Sequence, residues 1–344
     1  RNDWRMTNNS DGLALEAHLR DFERRLQRVT ACTQNGRHGC SARWIAVEQA
    51  WRRQARQAEK ERITQHSKAV GQFLPSSSAT FNNRRWKPLD HWAPDFSCGK
   101  DARRFPEHAD IVGGAKSAQP DDGAKWLCGA VTFTRPCTVL SVGSNFADSF
   151  ERALSSSANC TSYVLDPTLG MPRAASVQNF SRKLAQYGAT LNASIGLGNG
   201  QIKARDGSGP YRLVSFREIL QGSRELFCDS TKCGKWHISL AKIDAEGGEW
   251  AGLTDPQDGV WRLCEEGILT IDQLVVELHT RRIGSRTKGT PASTIHSVFS
   301  GALACGLMLH HKEINWRGCH AGNCGEFAWV SVSHAMRVRS TRRG

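Results

Sequence analysis

The pattern of apolar and polar positions divides the chain into two parts of different character. In the first part, Asp11–Val29 places apolar residues at spacings of three and four, the period of one helical face. Ser41–Val70 also has helical propensity, but it is rich in charged residues and has few apolar positions after Trp51. Leu74–Pro120 follows neither period. The pattern predicts a helical stalk and an irregular linker over residues 1–117.

In the second part, short apolar runs alternate with helical ones. Seven runs have the length and composition of strands: Thr138–Val142, Thr161–Leu165, Ala189–Ile195, Ile238–Ile243, Gln273–Leu278, Leu307–Lys312 and Glu326–Val332. Helical segments separate most of them: Ser149–Ser156, Ser176–Tyr187, Phe216–Gln221 and Pro291–Ala304. Such alternation is typical of βαβ units in a mostly parallel sheet. The last two runs have no helix between them, so we expect them to pair as a hairpin.

These patterns predict an α/β fold with one doubly wound, Rossmann-like domain over residues 118–334 and a basic tail over residues 335–344. Charge supports this division. The formal net charge is +13, and residues 1–117 carry 21 basic against 13 acidic side chains. No nucleic-acid-binding motif accompanies the basic residues, so we expect no nucleic-acid partner. A solvated basic face, or proximity to an acidic membrane surface, is favoured. No apolar run approaches the roughly 18 residues of a membrane-spanning helix.

Candidate chemistry lies at the strand ends, because ligands of open α/β sheets bind outside the carboxyl ends of the strands. The first strand of the domain ends in Gly143, which permits a tight turn, and the second ends in Asp166. An acid about twenty residues after such a glycine is the spacing that binds ribose hydroxyls. Either residue alone is better explained as a turn glycine or a capping aspartate. Together they favour a nucleoside site.

The glycine pattern distinguishes between nucleosides. Ser144, Asn145 and Phe146 follow Gly143, so the G-x-G-x-x-G motif of dinucleotide sites is absent. The glycine-rich stretch 196–200 leads into a sequence typical of a hairpin instead of a helix. One glycine and an acidic second strand suit S-adenosylmethionine, which has no phosphates, better than NAD.

The fourth strand carries the most specific motif, HISLAKIDAEGGEW. Here the chain resembles the FkbM-like and methyltransferase-like families of S-adenosylmethionine-dependent enzymes, whose pattern is Lys-Ile-Asp-Ile-Glu-Gly-x-Glu-Trp. Five further segments match: Asp122–Cys128, Val142–Glu151, Val164–Thr168, Gln273–His279 and His311–Val330. The resemblance implies a class I methyltransferase fold with a seven-stranded sheet, S-adenosylmethionine as cofactor, and O-methylation of a carbohydrate or other small hydroxylated acceptor. A non-catalytic binding protein on a degenerate methyltransferase scaffold is the alternative.

The resemblance also implies roles for individual residues. Gly143, Ser144 and Asn145 would hold the methionine portion of the cofactor and Asp166 the ribose. The stretch Asn192–Ile195, with Ser194, would lie beside the adenine. Asp244 would face the cofactor's amino group or the acceptor.

The sequence departs from the family pattern at three positions. Ser141 stands where many methyltransferases of this fold have an acidic residue, and Ala245 and Gly248 replace bulkier residues.

The candidate catalytic residues are His279, Asp244 and Glu246. His279 is the preferred general base because the unperturbed imidazole pKa of about 6.5 suits proton removal near neutrality. A histidine that only satisfies hydrogen bonds at a strand end is an equal alternative. No metal site is predicted, although a divalent cation held by Asp244, Glu246, Glu277 and His279 stays open.

The cysteines bear on the compartment. Of 12 cysteines, several form close pairs in the sequence: Cys32/Cys40, Cys128/Cys137, Cys228/Cys233 and Cys319/Cys324. None has C-x-x-C spacing, so disulfides in an oxidising environment explain them most simply. We therefore expect a secretory-pathway lumen (Golgi or ER) or an extracellular location, with a membrane anchor upstream of the given sequence. A cytoplasmic protein with reduced thiols is the alternative.

Overall fold

The computed structural model describes most of the predicted domain and little of the N-terminal part. The described ranges are 102–105, 124–129, 136–169, 174–202, 210–228, 234–280, 292–314, 324–331 and 333–335, with the single residues Arg20, Gln57, Lys60, Pro94, Cys98 and Phe133. Arg20, Gln57 and Lys60 are helical. The rest of the predicted stalk, and the basic tail beyond Ala335, lie outside the described residues.

The chain divides into two compact units. One combines residues 1–92 with 288–306, and the other combines residues 93–287 with 307–344. The described part of the first unit includes one long helix, Ala292–Ala304, close to the predicted Pro291–Ala304. The second unit contains the described strands.

In chain order the strands are β1 (Ala102–Phe105), β2 (Lys125–Cys128), β3 (Cys137–Val142), β4 (Cys160–Leu165), β5 (Ala189–Asn192), β6 (Ile195–Leu197), β7 (Gly200–Ile202), β8 (Tyr211–Val214), β9 (Trp236–Ile243), β10 (Leu269–His279), β11 (Leu307–Ile314) and β12 (Cys324–Ser331). The helices are α1 (Ser149–Ala158), α2 (Ala174–Ala185), α3 (Phe216–Gly222), α4 (Arg224–Phe227), α5 (Gly248–Thr254), α6 (Val260–Glu265) and α7 (Ala292–Ala304). Among these helices, none is both long and apolar enough to cross a lipid bilayer.

The main sheet has seven strands in the order β11-β12-β10-β9-β3-β4-β5. Parallel pairs join β5, β4, β3, β9 and β10, whereas β12 runs antiparallel to both of its neighbours. The predicted seven strands and final hairpin are therefore confirmed, and the sheet is mixed because of β12. The chain builds outward from β3 to β5 and then returns to the other side of β3 with β9. The switch in strand order consequently lies between β3 and β9, where a ligand cleft is expected.

Burial on both faces explains the continuous apolar strands. All six residues of β3 are buried, and Val139 and Leu240 pack with Phe150 and Leu154 of α1 in one cluster. A second cluster places Phe180 and Leu184 of α2 against β4 and β5. Parallel strands covered by helices have no solvent-facing side, so they lack an alternating pattern.

The third predicted strand divides into two strands of different sheets. β5 ends at Asn192, and β6 begins at Ile195 in a small sheet of order β6-β8-β7. Asn192 Oδ1 accepts hydrogen bonds from the Ser194 N–H (3.0 Å) and hydroxyl (2.7 Å). In this local turn the Asn192 side chain pairs with the Ser194 backbone N–H, which would pair with a neighbouring strand if β5 continued. The glycine-rich stretch 196–200 enters β7, as the hairpin interpretation predicts.

Other elements have weak sequence signals. β1 lies inside the predicted linker and pairs with β2, although its sequence ARRF shows no strand alternation. The short helices α4, α5 and α6 were also missed. α5 begins at Gly248, where a Cβ atom would lie 2.2 Å from the Leu197 carbonyl oxygen. This contact explains why residue 248 is glycine.

Two disulfides are described completely, and they correct one predicted pairing. Cys128 bonds to Cys98, and Cys137 bonds to Cys160, so Cys128 and Cys137 do not pair with each other. The reason is the sheet: Cys137 begins β3 and lies directly opposite Cys160 on β4, with a Cα–Cα distance of 4.5 Å. Cys228 and Cys324 are also disulfide-bonded. The partners predicted for them, and the pair Cys32/Cys40, lie outside the described residues.

Candidate active site

The tips of β3 and β9 touch at the switch in strand order. The Asp244 N–H donates to the Val142 carbonyl at 2.9 Å, and the Gly143 N–H donates to Leu165 at 2.8 Å. Gly143 has φ +80°, and a Cβ there would lie 2.0 Å from the Asp244 carbonyl oxygen. Only glycine fits this contact. The structure thus brings Gly143 and Asp244 together as predicted.

Asp166 holds the loop that follows Gly143. Its Oδ2 accepts from the backbone N–H groups of Ser144 and Asn145, both at 2.8 Å, and from the Ser144 hydroxyl at 3.1 Å. Its Oδ1 accepts from the Thr168 N–H (3.0 Å) and hydroxyl (2.6 Å). The residue is only 3% exposed. These five donors already occupy the acceptor sites of the Asp166 carboxylate. Its hydrogen bonds therefore go to the protein, and the contact of Asp166 with ribose stays a prediction.

The same loop has a strained backbone. Asn145 and Phe146 have φ values of 46° and 61°, in the left-handed region that non-glycine residues avoid. The bonds from Asp166 stabilise this conformation at Asn145, and Phe146 packs edge-to-face on Phe180 at 5.6 Å. Backbone strain of this kind concentrates where a loop must keep one shape to bind a ligand.

A second carboxylate, Asp148, fixes the far end of the loop. It accepts from Lys183 Nζ at 2.7 Å and from the Tyr187 hydroxyl. Burial raises the pKa of Asp148, but these two hydrogen bonds and the nearby positive charges outweigh it, so its pKa is lowered. The loop is therefore held at both ends by carboxylates that accept hydrogen bonds.

Glu249 connects the β9 tip to the end of β10. One oxygen accepts from the Gly247 N–H at 2.7 Å. The other lies 2.7 Å from the His279 backbone nitrogen, which donates to it, and 3.0 Å from His279 Nδ1. Glu249 is fully buried. The fourth-strand motif contains Glu249, but its role was missed because it depends on two strands meeting.

His279 lies beside the other candidate catalytic residues. Its Nε2 is 3.9 Å from Asp244 Oδ1 and 3.8 Å from Glu246 Oε2, and its side chain is 3% exposed. The side chains of Asp244 and Glu246 are 30% and 50% exposed. Buried His279 thus faces two carboxylates that reach solvent, and the three candidate catalytic residues lie together.

The pKa of His279 differs from the unperturbed value on which the sequence-based choice of base rested. Burial lowers this pKa, but the hydrogen bond and charge of Glu249 and the charges of Asp244 and Glu277 raise it, to about 9. The imidazole is therefore protonated at neutral pH in this structure. The premise of an unperturbed pKa is wrong, because three carboxylates surround the ring.

Ser194 lies apart from this group. It is exposed in the turn after β5, where Asn192 accepts its hydrogen bonds. The Asn192 carbonyl accepts from the Asp166 N–H at 3.2 Å, so the turn continues from the strand beside Asp166. The predicted adenine contact of Ser194 stays a prediction.

Ligand atoms for a metal also meet near His279. In the part of the chain that the structure describes, Glu277, His279 and Cys324 place such atoms within 4.8 Å of one another. Cys324 is disulfide-bonded, so its sulfur is not a thiolate ligand. This trio therefore gives no independent support for a bound cation.

The fold and the site define a class of protein. The fold is that of a class I methyltransferase: a seven-stranded Rossmann-like sheet with one antiparallel strand. A single-glycine loop follows β3, and carboxylates lie at the switch point. The family model described as "Methyltransferase domain", Methyltransf_22, matches residues 44–331, and the chain belongs to this family. The match begins within the predicted stalk, so the family extends further towards the N-terminus than the resemblance indicated.

The chain is similar to several solved structures, including the following two. A fibrillarin pre-rRNA processing protein from Methanococcus jannaschii is 8% identical, with a TM-score of 0.34 over 58% of this chain and 68% of that one. A SAM-dependent methyltransferase from Aquifex aeolicus is 13% identical, with a TM-score of 0.28 over 58% of this chain and 85% of that one. Among curated proteins, no sequence matches this chain significantly.

The chain is therefore a member of a methyltransferase family, and the sequence resemblance implies S-adenosylmethionine as its methyl donor. The side chains beside His279 fit this cofactor. Its sulfonium is a cation, and the acidic side chains that reach solvent there are the carboxylates of Asp244 and Glu246. The loop after Gly143 lacks the further glycines that a pyrophosphate would need.

Proposed function

We propose that this enzyme, as an FkbM-like methyltransferase, methylates an oxygen of a carbohydrate or another small hydroxylated acceptor. The observation that carries the proposal is the pair Glu249–His279, joined at 3.0 Å with the ring's other nitrogen turned towards Asp244 and Glu246. A hydroxyl loses its proton when it is methylated, so its enzyme benefits from a positioned base. The geometry of a carboxylate that orients a histidine meets that need.

Each residue of the pair has a separate task. S-adenosylmethionine would supply an electrophilic methyl group: the aligned acceptor oxygen would bond to the methyl carbon in line while the carbon–sulfur bond breaks, and S-adenosylhomocysteine would leave as a neutral thioether. His279 Nε2 accepts the hydroxyl proton, and Glu249 keeps the ring in place and stabilises the imidazolium that forms. His279 must first lose its own proton, and with a pKa of about 9 its neutral form is a stronger base than an ordinary imidazole.

We propose that Asp244 and Glu246 contact the acceptor. Their carboxylates lie within 4 Å of His279 Nε2 and remain partly exposed. Hydroxyl groups donate well to carboxylates. A polyhydroxylated acceptor would therefore be oriented by the groups that neighbour the base.

We also propose a secretory-pathway or extracellular location. Two disulfides, Cys98–Cys128 and Cys137–Cys160, and the disulfide bonding of Cys228 and Cys324 support this proposal, since such bonds persist in oxidising compartments. Thiol counting in denaturant, before and after reduction, tests it. Twelve reactive thiols before reduction in protein purified from its native compartment would contradict it.

The function is tested with labelled S-adenosylmethionine and a panel of glycans, monosaccharides and other small alcohols. We expect a product in which a hydroxyl oxygen carries the label, identified by mass spectrometry. His279→Gln should lower kcat at least tenfold and leave the affinity for S-adenosylhomocysteine within twofold, as expected for loss of a general base. Methylation of nitrogen, or unchanged turnover by the variant, would contradict the proposal. Cofactor binding without turnover on every acceptor would favour a non-catalytic scaffold.

A further inference from the structure

Two buried charges flank the turn at Gly143, and the proposed chemistry uses neither. Glu151 lies in the first turn of α1 and is 2% exposed, and Lys242 lies in β9 and is 6% exposed. The Ser141 hydroxyl donates to Glu151 Oε1 at 2.6 Å. Lys242 Nζ donates to the carbonyl of Gly143 itself. Both charges are thus tied to the strand and turn where the cofactor is expected.

The two side chains lie on one face of the sheet. Ser141 and Lys242 are paired in register on the adjacent parallel strands β3 and β9. Two residues earlier, the pair Val139 and Leu240 packs with α1. Side chains at every second position share a face, so Ser141 and Lys242 point to the side that α1 covers. Glu151 reaches Ser141 from α1.

Within the described residues, neither charge has a counter-ion. The hydroxyl of Ser141 is the one donor to Glu151, and the second oxygen of this carboxylate accepts no hydrogen bond. Lys242 donates to a neutral carbonyl and joins no ion pair. An uncompensated buried charge costs several kcal/mol in general. A ligand that brings both opposite charges would remove this cost at both positions.

Helix capping does not account for Glu151. An acid in the first turn of a helix is stabilised by the helix dipole, and a glutamate at this position often accepts from the backbone N–H of the capping residue. Glu218 makes that bond at the start of α3. Glu151 occupies the same position in α1 but bonds to Ser141 on the strand.

We infer that Glu151 and Lys242 bind the amino-acid end of the cofactor, Glu151 its α-ammonium and Lys242 its α-carboxylate. This inference rests on the methyltransferase function. The α-amino acid is a zwitterion, so it neutralises both side chains together. Ser141 orients the Glu151 carboxylate by its hydrogen bond to Oε1.

Calorimetry with four ligands tests each contact separately. The ligands are S-adenosylhomocysteine, its deaminated analogue, its decarboxylated analogue, and 5′-methylthioadenosine, which lacks both groups. We expect Glu151→Gln to weaken the two amine-bearing ligands about tenfold or more and to leave the other two within twofold. Lys242→Met should weaken the two carboxylate-bearing ligands and spare the others.

Control variants separate binding from folding. Glu218→Gln changes the same residue type at the same helix position away from the site, and it should leave all four affinities unchanged. Circular dichroism and thermal unfolding show whether each variant is folded. If Glu151→Gln or Lys242→Met does not fold, Glu151→Asp or Lys242→Arg keeps the charge but moves it, and the same selective loss is expected.

Two results would overturn the inference. One is equal weakening of all four ligands by Glu151→Gln, which indicates a structural role. The other is loss of amine selectivity in Asp244→Asn with its retention in Glu151→Gln, which would assign the ammonium to Asp244. Failure of the wild-type protein to bind either S-adenosylhomocysteine or 5′-methylthioadenosine would instead contradict the methyltransferase function itself.

Discussion

The carboxylate of Glu249 holds His279 at two points, the backbone N–H at 2.7 Å and ring Nδ1 at 3.0 Å. The end of β10 and the orientation of the imidazole are therefore fixed by one buried oxygen. Because an ionised carboxylate favours the imidazolium, the same contact that orients the ring also raises its pKa. Geometry and proton affinity at this site are coupled.

The first prediction concerns the pH dependence of the rate. The pKa of His279 is raised to about 9, and only the neutral ring accepts a proton. We expect kcat/KM to rise with pH through an apparent pKa near 9 in initial-rate measurements from pH 6.5 to 10. Glu249→Gln removes one charge that raises this pKa, so the rising limb should move to lower pH. A limb that stays in place would show that Glu249 does not control the base.

The second prediction concerns stability. His279 has a folded-state pKa above its ordinary value of 6.5, so its protonation stabilises the folded state. This contribution is fully present below pH 6.5 and is lost as pH rises through about 9. In thermal unfolding, His279→Gln should flatten the decrease in Tm over that window relative to wild type. Parallel curves for the two proteins would contradict the assigned pKa.

The third prediction concerns the contact between strand tips. In Gly143→Ala, the new methyl group would lie 2.0 Å from the Asp244 carbonyl oxygen, at φ +80°, so β3 and β9 must move apart. We expect lost affinity for S-adenosylhomocysteine and a fall in the free energy of unfolding of several kcal/mol.

Gly188→Ala is the matched control for this change. Gly188 has φ +71°, and no atom lies within 4 Å of the position that a methyl group would take there, so it reports the backbone penalty alone, about 1 kcal/mol. Equal destabilisation by the two variants in denaturant titrations would show that the steric contact is unimportant.

The fourth prediction concerns Asp166. Asp166→Ala removes all the hydrogen bonds that this carboxylate accepts from the loop, so the affinity for S-adenosylhomocysteine should fall at least tenfold in calorimetry. Unchanged affinity would remove Asp166 from the site. The 2′-deoxy analogue separates two roles: the variant loses the preference for the 2′-hydroxyl if Asp166 also contacts ribose, and keeps it if the residue only holds the loop.

Local signals predicted the sheet and the positions of the main site residues. Buried parallel strands leave uninterrupted apolar runs, and a glycine or acid at the end of such a run, as at Gly143 and Asp244, is visible without a structure. The seven strands follow from these runs. Thr138–Val142, for example, differs from β3 by one residue.

Features that depend on contacts between distant segments were not predictable. Glu249 of α5 bonds to His279 at the end of β10, and Glu151 of α1 bonds to Ser141, which lies on β3 ten residues earlier in the chain. Cys128 and Cys137 are near in sequence, but strand pairing places Cys160 opposite Cys137. The raised pKa of His279 results from three carboxylates on different elements. In each case the partner is chosen by the fold.

The disulfide between Cys137 and Cys160 joins the first residues of β3 and β4. Gly143 and Asp166 follow the last residues of the same two strands, so the disulfide and the loop after Gly143 lie at opposite ends of these strands. Reduction of this disulfide would thus act at a distance from the site. It would release the first residues of the two strands from each other, and the effect would appear at their last residues as a misaligned cofactor.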